Sequence, residues 1–483
     1  MLKKIRLVLS VILFSLITFY FLDFAGILSV RFHVLTHIQF VPALLAHNLA
    51  ILIFFVLLTL LFGRIYCSSI CPMGVFQDIV VWFSGKTAKK KKYTYSKPKT
   101  ILRWSVLAVT VVLFFCSITS LLGLLDPYSA YGRVAVHLFK PVYMAVNNLL
   151  AHFFTGFRMM DIFILSLYSF IVALITFLSI GFLAWKYGRT FCNTICPAGT
   201  ILGFLGKYSF FKINIDSEKC IACGTCAAKC KASCIDAKEK TVDNSRCVDC
   251  FNCVDSCKFD ALSYTSRKKA AEKTEKAVDE GKRRFLLAGL TTAIAAPTLF
   301  AKEKASLLAG GKFNTRRTPI SPPGALSTEH LLKHCTSCHL CISKCPSKAL
   351  KPAFMEYGIG GMMQPVMTFE KGFCNFNCTV CSNVCPNHAL RPLTKEEKHK
   401  TQVGYAVLDK EICIVSTKYR GCGACAKHCP TQAIKMTTYK GELTIPVINA
   451  NTCVGCGQCE FVCPEQAIYV EGNEVQKIVT QIN

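Results

Sequence analysis

Cysteines in tightly spaced groups of four constrain this chain more than any other feature. The sequence holds 30 cysteines in 483 residues, and most recur at spacings of two and three residues. This spacing is typical of metal ligands, and a long chain with extended apolar runs is not a small secreted disulfide scaffold. We therefore expect the chain to fold around metal centres.

Two groups in the middle of the chain follow the pattern C-x2-C-x2-C-x3-C, which binds [4Fe-4S] clusters in bacterial ferredoxins. In the two-cluster ferredoxin fold, the fourth cysteine of each group binds the cluster of the other group. The pattern assigns one cluster to Cys220, Cys223, Cys226 and Cys257, and another to Cys247, Cys250, Cys253 and Cys230. Zinc is the alternative, but zinc sites seldom use four thiols in this rhythm.

Four more groups follow in the last third of the chain, and we interpret all sixteen cysteines as ligands of four further clusters. The spacing leaves open which groups exchange their fourth cysteine. The groups are Cys335, Cys338, Cys341 and Cys345; Cys374, Cys378, Cys381 and Cys385; Cys413, Cys422, Cys425 and Cys429; and Cys453, Cys456, Cys459 and Cys463. The segment from Cys335 to His339 also matches the C-x-x-C-H haem signature, but the ferredoxin rhythm continues beyond it.

Subtracting these 24 cysteines from 30 leaves six. Four of them lie in a motif that occurs twice, G-R-x-aromatic-C-x2-I-C-P-x-G. The two copies cover residues 63–74 and 188–199, and seven of their twelve positions are identical. These cysteines are Cys67, Cys71, Cys192 and Cys196. Three interpretations stay open: a further metal centre with four thiolates, redox-active dithiols, or structural cysteines. The last two cysteines, Cys116 and Cys234, are assigned no ligand role.

Four apolar runs predict membrane-spanning helices, because a span needs about 20 apolar residues. They are Leu7–Leu22, Phe40–Phe62, Trp104–Leu125 and Ile162–Trp185. The stretch Val134–Phe154 is apolar but holds Lys140 and Pro141, and we expect an interfacial helix there. Lysine and arginine concentrate before the first run and between the second and third, for example at Lys89–Lys92. The positive-inside rule therefore places both ends of this bundle in the cytoplasm.

The rest of the chain divides at changes of composition. We expect a four-span membrane domain over 1–207, a two-cluster ferredoxin domain over 208–263, a linker over 264–329 and a four-cluster domain over 330–483. Within the linker, Arg283 and Arg284 precede an apolar run of 17 residues and resemble a twin-arginine export signal. The fold class is thus an α-helical membrane bundle with a two-fold internal repeat, plus two α+β ferredoxin-like domains.

Polar residues within the apolar runs suggest where a quinone could bind. His47 and Asn48 lie in the second run, and intramembrane polar groups invite either a quinol site or a simple interhelical hydrogen bond. Asp126, Tyr128 and Arg133 form a polar patch after the third run, which is a second candidate for a quinone head group.

The formal charge of +27 does not require a nucleic-acid partner. Six oxidised clusters with four thiolates each, at about 2−, would lower it to about +15. Much of the basic excess is also local to membrane-flanking loops, where it orients spans. No Ser/His/Asp, phosphate-loop or dinucleotide pattern indicates bond-making catalysis. We therefore expect membrane and redox partners and no nucleic acid.

On these motifs, residues 1–263 resemble membrane ferredoxins of the NapH or MauN type. Residues 282–472 resemble exported ferredoxins of the NapG or MauM type. The resemblance covers most of the chain and implies a fusion of two normally separate subunits. It also implies a bacterial inner-membrane protein that carries electrons from the quinol pool toward a periplasmic reductase, often nitrate reductase, with the first ferredoxin domain cytoplasmic and the last periplasmic.

Two other functions stay open. The protein could maintain or mature a partner metalloenzyme through thiol chemistry at the repeated cysteine pairs. Alternatively, the last domain could lie in the cytoplasm and pass electrons from soluble donors to quinone. Either way, [4Fe-4S] clusters suit the separation of the two electrons of a quinol, because each changes charge by one.

Overall fold

The computed structural model describes residues 2–23, 28, 30–87, 93–154, 159–162, 166–266 and 316–479. The predicted twin-arginine segment and Lys89–Lys92 lie outside these residues. The described chain forms a helical bundle with a ferredoxin domain packed at each of two ends.

Twelve α-helices of the described residues build the bundle and the segments that fold back into it. In chain order they are α1 (Leu2–Leu22), α2 (Val34–His37), α3 (Phe40–Leu45), α4 (Leu49–Phe62), α5 (Pro72–Thr87), α6 (Thr100–Phe115), α7 (Ser120–Leu125), α8 (Pro127–Val134), α9 (Lys140–Phe153), α10 (Leu167–Tyr187), α11 (Thr190–Thr194) and α12 (Pro197–Gly206). A 3₁₀ turn covers Val30–His33, and π-helical turns cover Tyr66–Ile70 and Ala135–Phe139.

Two described helices, α1 and α10, are long and apolar enough to cross a membrane, at 21 residues each. The predicted second span is not continuous. His47 takes a left-handed φ of 53° after α3, and the Asn48 side chain then caps α4 by accepting a hydrogen bond from the Ile51 backbone N–H. The single helix predicted over Phe40–Phe62 is therefore two helices.

The predicted third span is also broken. Ser117, with a φ of 62°, separates α6 from α7. Beyond the break, the Thr119 hydroxyl donates to the Leu332 carbonyl at 2.6 Å, in the last ferredoxin domain. The helix predicted over Trp104–Leu125 thus ends early because its remainder turns to contact another domain. The expected interfacial helix begins earlier than predicted, at Pro127, where the Asp126 side chain caps α8.

Each repeated cysteine motif forms a turn that folds back into the bundle. Gly63 and Gly188 end α4 and α10 with φ values of 79° and 70°, which glycine adopts without steric cost. Pro72 and Pro197 then open α5 and α12 at the first helical turn. Helix α5 packs against α10 and α12 packs against α4, so each motif returns along the long helix of the other.

The first ferredoxin domain is small and follows α12. Its elements are β1 (Phe211–Ile215), α13 (Thr225–Lys229), β2 (Ile235–Asp236), β3 (Thr241–Val242), α14 (Asn252–Ser256) and β4 (Leu262–Ser266). Strand β1 pairs antiparallel with β4, and β2 with β3. Buried Ile213, Ile235 and Leu262 pack with the cysteines in its core.

The last ferredoxin domain contains two such units in succession. Its elements are α15 (Thr328–His334), α16 (Leu340–Lys344), β5 (Leu350–Pro352), β6 (Pro365–Met367), α17 (Val380–Asn383), α18 (Lys395–Lys400), β7 (Thr401–Leu408), α19 (Ile414–Thr417), α20 (Ala424–Lys427), β8 (Ile434–Thr438), β9 (Thr444–Ile448), α21 (Gln458–Val462) and β10 (Ile468–Ile478). The antiparallel pairs are β5 with β6, β7 with β10, and β8 with β9.

Residues 316–329, which the composition assigns to the linker, pack as part of this last domain. Ile320 and Ala325 are fully buried, and Arg316 forms an ion pair with Glu460. The domain therefore begins before residue 330, because a short proline-rich segment covers its sheet.

The two ferredoxin domains contact opposite ends of α1. At its beginning, Lys3 forms an ion pair with Asp255 of the first domain at 2.6 Å. Just after its end, Asp23 forms an ion pair with Lys344 of the last domain at 2.8 Å. A helix of 21 residues is about 30 Å long, which is the thickness of the hydrocarbon core of a bilayer.

Candidate metal centres

The cysteine loops owe their shape to paired left-handed residues. In the group that begins at Cys335, the residues on either side of Cys338 have positive φ, 54° at Ser337 and 62° at His339. The same alternation occurs around Cys223, Cys250 and Cys456. Such turns aim successive backbone N–H groups at an anionic centre, which suits a cluster with thiolate ligands.

The first ferredoxin domain brings its eight cysteines together as the sequence predicts. Cys220, Cys223, Cys226 and Cys257 line one hollow. In the second group, Cys253 lies close to Cys247, Cys250 and Cys230. The fourth cysteines are therefore exchanged between the groups.

The two thiol groups of this domain differ in exposure. The group next to the bundle, which we call the inner one, also has a neighbouring cysteine that we assigned to no cluster. Cys223 is exposed, whereas Cys230, Cys247 and Cys250 are buried on the side of the bundle. Cys234 is also buried, with its Sγ 3.5 Å from Cys230 Sγ.

The last domain exchanges its fourth cysteines in the same way, twice, which the spacing had left open. One hollow is lined by Cys335, Cys338, Cys341 and Cys385, and another by Cys413, Cys422, Cys425 and Cys463. The remaining cysteines form two further clusters of thiols, which are Cys345, Cys374, Cys378 and Cys381, and Cys429, Cys453, Cys456 and Cys459.

These four thiol groups follow one another in space in an order that differs from the order in the chain. The Cys335 group lies against the helical bundle, and its Cys341 is close to Cys381 of the next group. The backbone N–H of Cys374 donates to the Cys456 carbonyl at 2.9 Å, which joins the second thiol group to the third. Cys459 in turn lies near Cys425 of the outermost group.

Burial raises the pKa of the Cys338 thiol and of the Cys456 thiol, in each case to about 12. A buried thiol keeps its proton unless a cation compensates the thiolate charge. Binding of iron would therefore release the protons of these two thiols, which stay on the sulfurs in the metal-free protein.

One face of the helix that runs through α8, its π-turn and α9 forms the contact with the last domain. Four side chains at helical spacing each reach the loop around Cys338 or the helix α16 that follows it. The hydrogen-bonded pairs are Ser129 with Thr336 at 2.7 Å, Arg133 with the Ser337 carbonyl at 3.2 Å, His137 with His339 at 2.7 Å, and Lys140 with the Ser343 carbonyl at 2.6 Å.

This contact changes two expectations from the sequence. Asp126, Tyr128 and Arg133, a candidate quinone patch, are buried beneath the last domain and do not form an open surface. His339, the histidine of the C-x-x-C-H match, places one ring nitrogen against His137 and the other against the Met363 carbonyl at 2.9 Å. Both nitrogens are engaged, which disfavours a haem ligand there.

The other quinone candidate lies in a group of histidines beside the Cys335 hollow. The His47 ring centre is 6.1 Å from that of His334, which itself stacks on His330 at 4.2 Å. The His37 ring lies 5.7 Å from His388. No sequence pattern indicates this grouping, because its members come from distant segments of the bundle and the last domain.

The structure also brings the four remaining motif cysteines into one buried place. Cys67, Cys71, Cys192 and Cys196 are each at most 5% exposed and share one core cluster. Gln77 Nε2 lies 3.2 Å from Cys192 Sγ, and the Gly199 backbone N–H donates to Cys196 Sγ at 3.2 Å. The sequence predicted the pairs but gave no evidence that they meet.

Two arginines cross between the motifs. Arg189 Nη1 donates to the Cys67 carbonyl at 2.8 Å, and Arg64 Nη2 donates to the Cys192 carbonyl at 3.3 Å. Both guanidinium groups are fully buried. In addition, the backbone N–H of Arg64 donates to Asp249 Oδ2 at 2.7 Å, and that of Arg189 to the Lys231 carbonyl at 2.8 Å. The motifs therefore also hold the first ferredoxin domain.

Over the described residues, no three His, Cys, Asp or Glu side chains converge on the position of one metal ion. A [4Fe-4S] cube instead holds its four thiolates around several irons. The thiol groups above have the composition that such a cluster requires.

Comparison with known proteins agrees with this chemistry. A family described as a 4Fe-4S binding domain matches residues 44–91 and 167–216, and families described as 4Fe-4S dicluster domains match 243–349 and 420–467. The ferredoxin-type protein MauM of Methylobacillus flagellatus is 30% identical over 38% of this chain and 79% of its own length.

Two further relatives are matched over a smaller share of their length. The ferredoxin-type protein MauN of the same organism is 28% identical over 35% of this chain and 48% of its length. The ferredoxin-type protein NapH of Haemophilus influenzae is 25% identical over 35% of this chain and 47% of its length. The chain thus spans about half the length of these two relatives.

The thiol groups and the matching families define an iron–sulfur protein with several [4Fe-4S] ferredoxin domains. The chain belongs to the family of ferredoxin-type proteins that includes MauM, and it is similar to MauN and NapH. Its two membrane-length helices and these relatives indicate association with a membrane.

Proposed function

We propose that this protein is a membrane-bound carrier that passes single electrons between the quinol pool and a periplasmic reductase of the nitrate-reductase kind. Six [4Fe-4S] clusters carry the electrons, bound by the 24 cysteines of the six groups. Electrons leave quinol in pairs with protons, and one-electron clusters separate them.

The observation that carries this proposal is the order of the four thiol groups in the last domain. They run from the Cys335 group, which is in contact with the bundle, through those of Cys374 and Cys456 to the Cys413 group. A row of one-electron centres that begins at a membrane domain and ends at a distant surface suits transport from a lipid-soluble donor to a protein acceptor.

The quinol would be oxidised beside the first of these groups. His47 on the bundle and His334 on the last domain face each other there, next to Cys335. Imidazole is the side chain best suited to accept protons near neutral pH, and quinol oxidation releases two of them. The last domain would then lie on the outer side of the membrane, and the first ferredoxin domain on the cytoplasmic side.

This arrangement supports a fusion of a NapH/MauN-type part with a NapG/MauM-type part in one chain. In this chain both ferredoxin domains are held to one bundle by specific contacts, such as Arg133 with Ser337 and Arg64 with Asp249.

Protease treatment of spheroplasts tests the location of the last domain. Protection of the C-terminal domain would contradict the outer location, whereas cleavage of that domain with the first ferredoxin domain intact would support it.

Reduction by quinol tests the function. Anaerobically purified protein in liposomes is mixed with a short-chain menaquinol, and EPR follows the clusters. We expect menaquinol to reduce the clusters of the last domain in the wild type and to fail to do so in Cys385→Ser. The control Cys116→Ser should behave like the wild type, because its thiol is exposed and outside every group. Clusters that only a strong chemical reductant reduces would contradict the proposal and favour a maintenance role or a cytoplasmic donor-to-quinone conduit.

A further inference from the structure

We propose that Cys67, Cys71, Cys192 and Cys196 jointly bind a seventh [4Fe-4S] cluster inside the helical bundle, and that this cluster connects the first ferredoxin domain to the last. The inference deepens the proposed electron-carrier function and rests on it. Four independent observations lead to it.

The first observation is the number of thiols. The two segments that match a 4Fe-4S binding family contain two cysteines each, Cys67 and Cys71 in residues 44–91 and Cys192 and Cys196 in residues 167–216. A cluster needs four thiolates, so neither segment can complete one alone. The fold places the two pairs together in one core, within electrostatic range of each other.

The second observation is the reciprocal geometry of the motifs. The crossing contacts of Arg64 and Arg189 give each motif the same relation to the other. Gly74 and Gly199 occupy matching positions, and a Cβ on either would collide with the carbonyl of the first cysteine of its own motif and approach the arginine of the other motif. Two halves related in this way present their thiols to one shared site.

The third observation is charge. Arg6, Arg189 and Lys231 form ion pairs with Asp78, at 3.1, 2.7 and 2.5 Å. Among the described residues no carboxylate forms an ion pair with the Arg64 side chain, although it is fully buried and its Nε has no partner. Buried charge is costly unless it is compensated. A cluster with four thiolates carries about 2− when oxidised and would supply the missing negative charge.

Helix termini reinforce this charge argument. Cys71 and Cys196 directly precede α5 and α12, helices of 16 and 10 residues. The N-terminal end of a helix carries a partial positive charge that favours a thiolate. The Cys196 sulfur accepts a backbone N–H from this end, that of Gly199.

The fourth observation is position. On one side, Lys231 follows the ligand Cys230, lies near Cys250 and pairs with Asp78, which also holds Arg189. The thiol group is thus next to the inner cluster of the first ferredoxin domain.

On the other side, Tyr66 directly precedes Cys67 and lies close to both Cys71 and Asp126. Asp126 in turn lies close to Cys338 of the last domain. The site therefore lies between the two ferredoxin domains. These domains contact opposite ends of α1, which is about 30 Å long.

A cluster at this site would take one electron from the cluster of one ferredoxin domain and pass one to the cluster of the other. One centre is oxidised as the next is reduced at each transfer, and no bond is made or broken. Electrons could then cross the bundle along the protein, without relying on quinol diffusion.

Iron counting on variants of the full chain tests the inference. Three variants are purified anaerobically, Cys67→Ser/Cys71→Ser, Cys192→Ser/Cys196→Ser and the combination of all four, with Cys116→Ser as the control. We expect about 28 irons per chain in the wild type and the control. Each of the three variants is expected to lose the same four irons, because half of the ligands cannot hold the cluster.

Other outcomes overturn the inference and are distinct from failure of the carrier function. Losses that add between the two pairs would mean that each pair binds its own metal. A wild type with about 24 irons and unchanged variants would mean that the pairs are dithiols or structural, while six clusters and quinol reduction remain. If the variants do not accumulate, Mössbauer quantification on wild type alone distinguishes seven clusters from six.

Discussion

Arg189 donates a hydrogen bond to the Cys67 carbonyl at 2.8 Å, across 122 residues of sequence. Arg64 makes the matching contact to the Cys192 carbonyl at 3.3 Å. These two contacts connect the repeated motifs, and they place two buried positive charges beside the thiols of the bundle and the inner cluster of the first ferredoxin domain.

Replacement of Arg64 by glutamine should lower the midpoint potential of the nearest clusters by on the order of 50 mV. A nearby positive charge favours the reduced form of a cluster, which carries one more negative charge. EPR-monitored redox titration measures the shift, with the exposed Lys238→Gln as a charge-matched control. An unchanged or raised potential in Arg64→Gln alone would show that the guanidinium does not act on these centres.

Removal of single fourth cysteines should interrupt the row of clusters at defined places. Cys345 joins Cys374, Cys378 and Cys381, so Cys345→Ser should lose about four irons while the Cys335 group keeps its cluster. Quinol should then reduce that first cluster and leave the two outer ones oxidised on the timescale of turnover. Freeze-quench EPR provides the measurement, and rapid reduction of the outer clusters would refute the spatial order.

The last domain should dock less tightly when Arg133 is replaced by alanine. The side chain is fully buried and donates to the Ser337 and Leu124 carbonyls. Loss of such charge-assisted bonds costs about 2 kcal/mol. Hydrogen exchange of residues 335–343 should rise, whereas the exposed His152→Ala on α9 should leave it unchanged. Equal hydrogen exchange in both variants would show that the hydrogen bond from Arg133 to the Ser337 carbonyl does not hold the last domain on the bundle.

The sequence predicted the chemistry of the site better than its geometry. The spacing identified all six groups and the exchange in the first domain, because ligand spacing within a tight loop is a local property. Exchange between the groups of Cys335 and Cys374 depends on how two loops pack, which the spacing within each group does not show. The meeting of the Cys67 and Cys192 motifs depends on packing in the same way.

The breaks in the apolar runs were missed for a related reason. Hydropathy over Phe40–Phe62 predicts a single span, and only the left-handed His47 with the capping Asn48 divides it. Similarly, the polar patch at Asp126 and Arg133 looked like an open ligand site, because the sequence does not reveal that another domain covers it. Such features depend on contacts between domains and not on local pattern.

Docking of the first ferredoxin domain should depend on pH through Asp249. Burial raises the pKa of this carboxyl to about 6, and it accepts the backbone N–H of Arg64. The pKa of Asp249 in the folded protein lies above the ordinary value, so protonation of this carboxyl increases the free energy of unfolding. This contribution is complete below about pH 4 and is lost as the pH rises through about 6. Thermal unfolding between pH 5 and 7 should show this slope in the wild type. Asp249→Asn should remove it, and an identical slope in the variant would assign it elsewhere.

All of these predictions require that the cysteines grouped in fours hold iron–sulfur cubes. This is tested by metal and acid-labile sulfide analysis of the anaerobically purified chain, combined with Mössbauer spectroscopy. We expect at least about 24 irons and as many sulfides per chain, all in [4Fe-4S] form. Zinc in these sites, or iron far below that number, would contradict it.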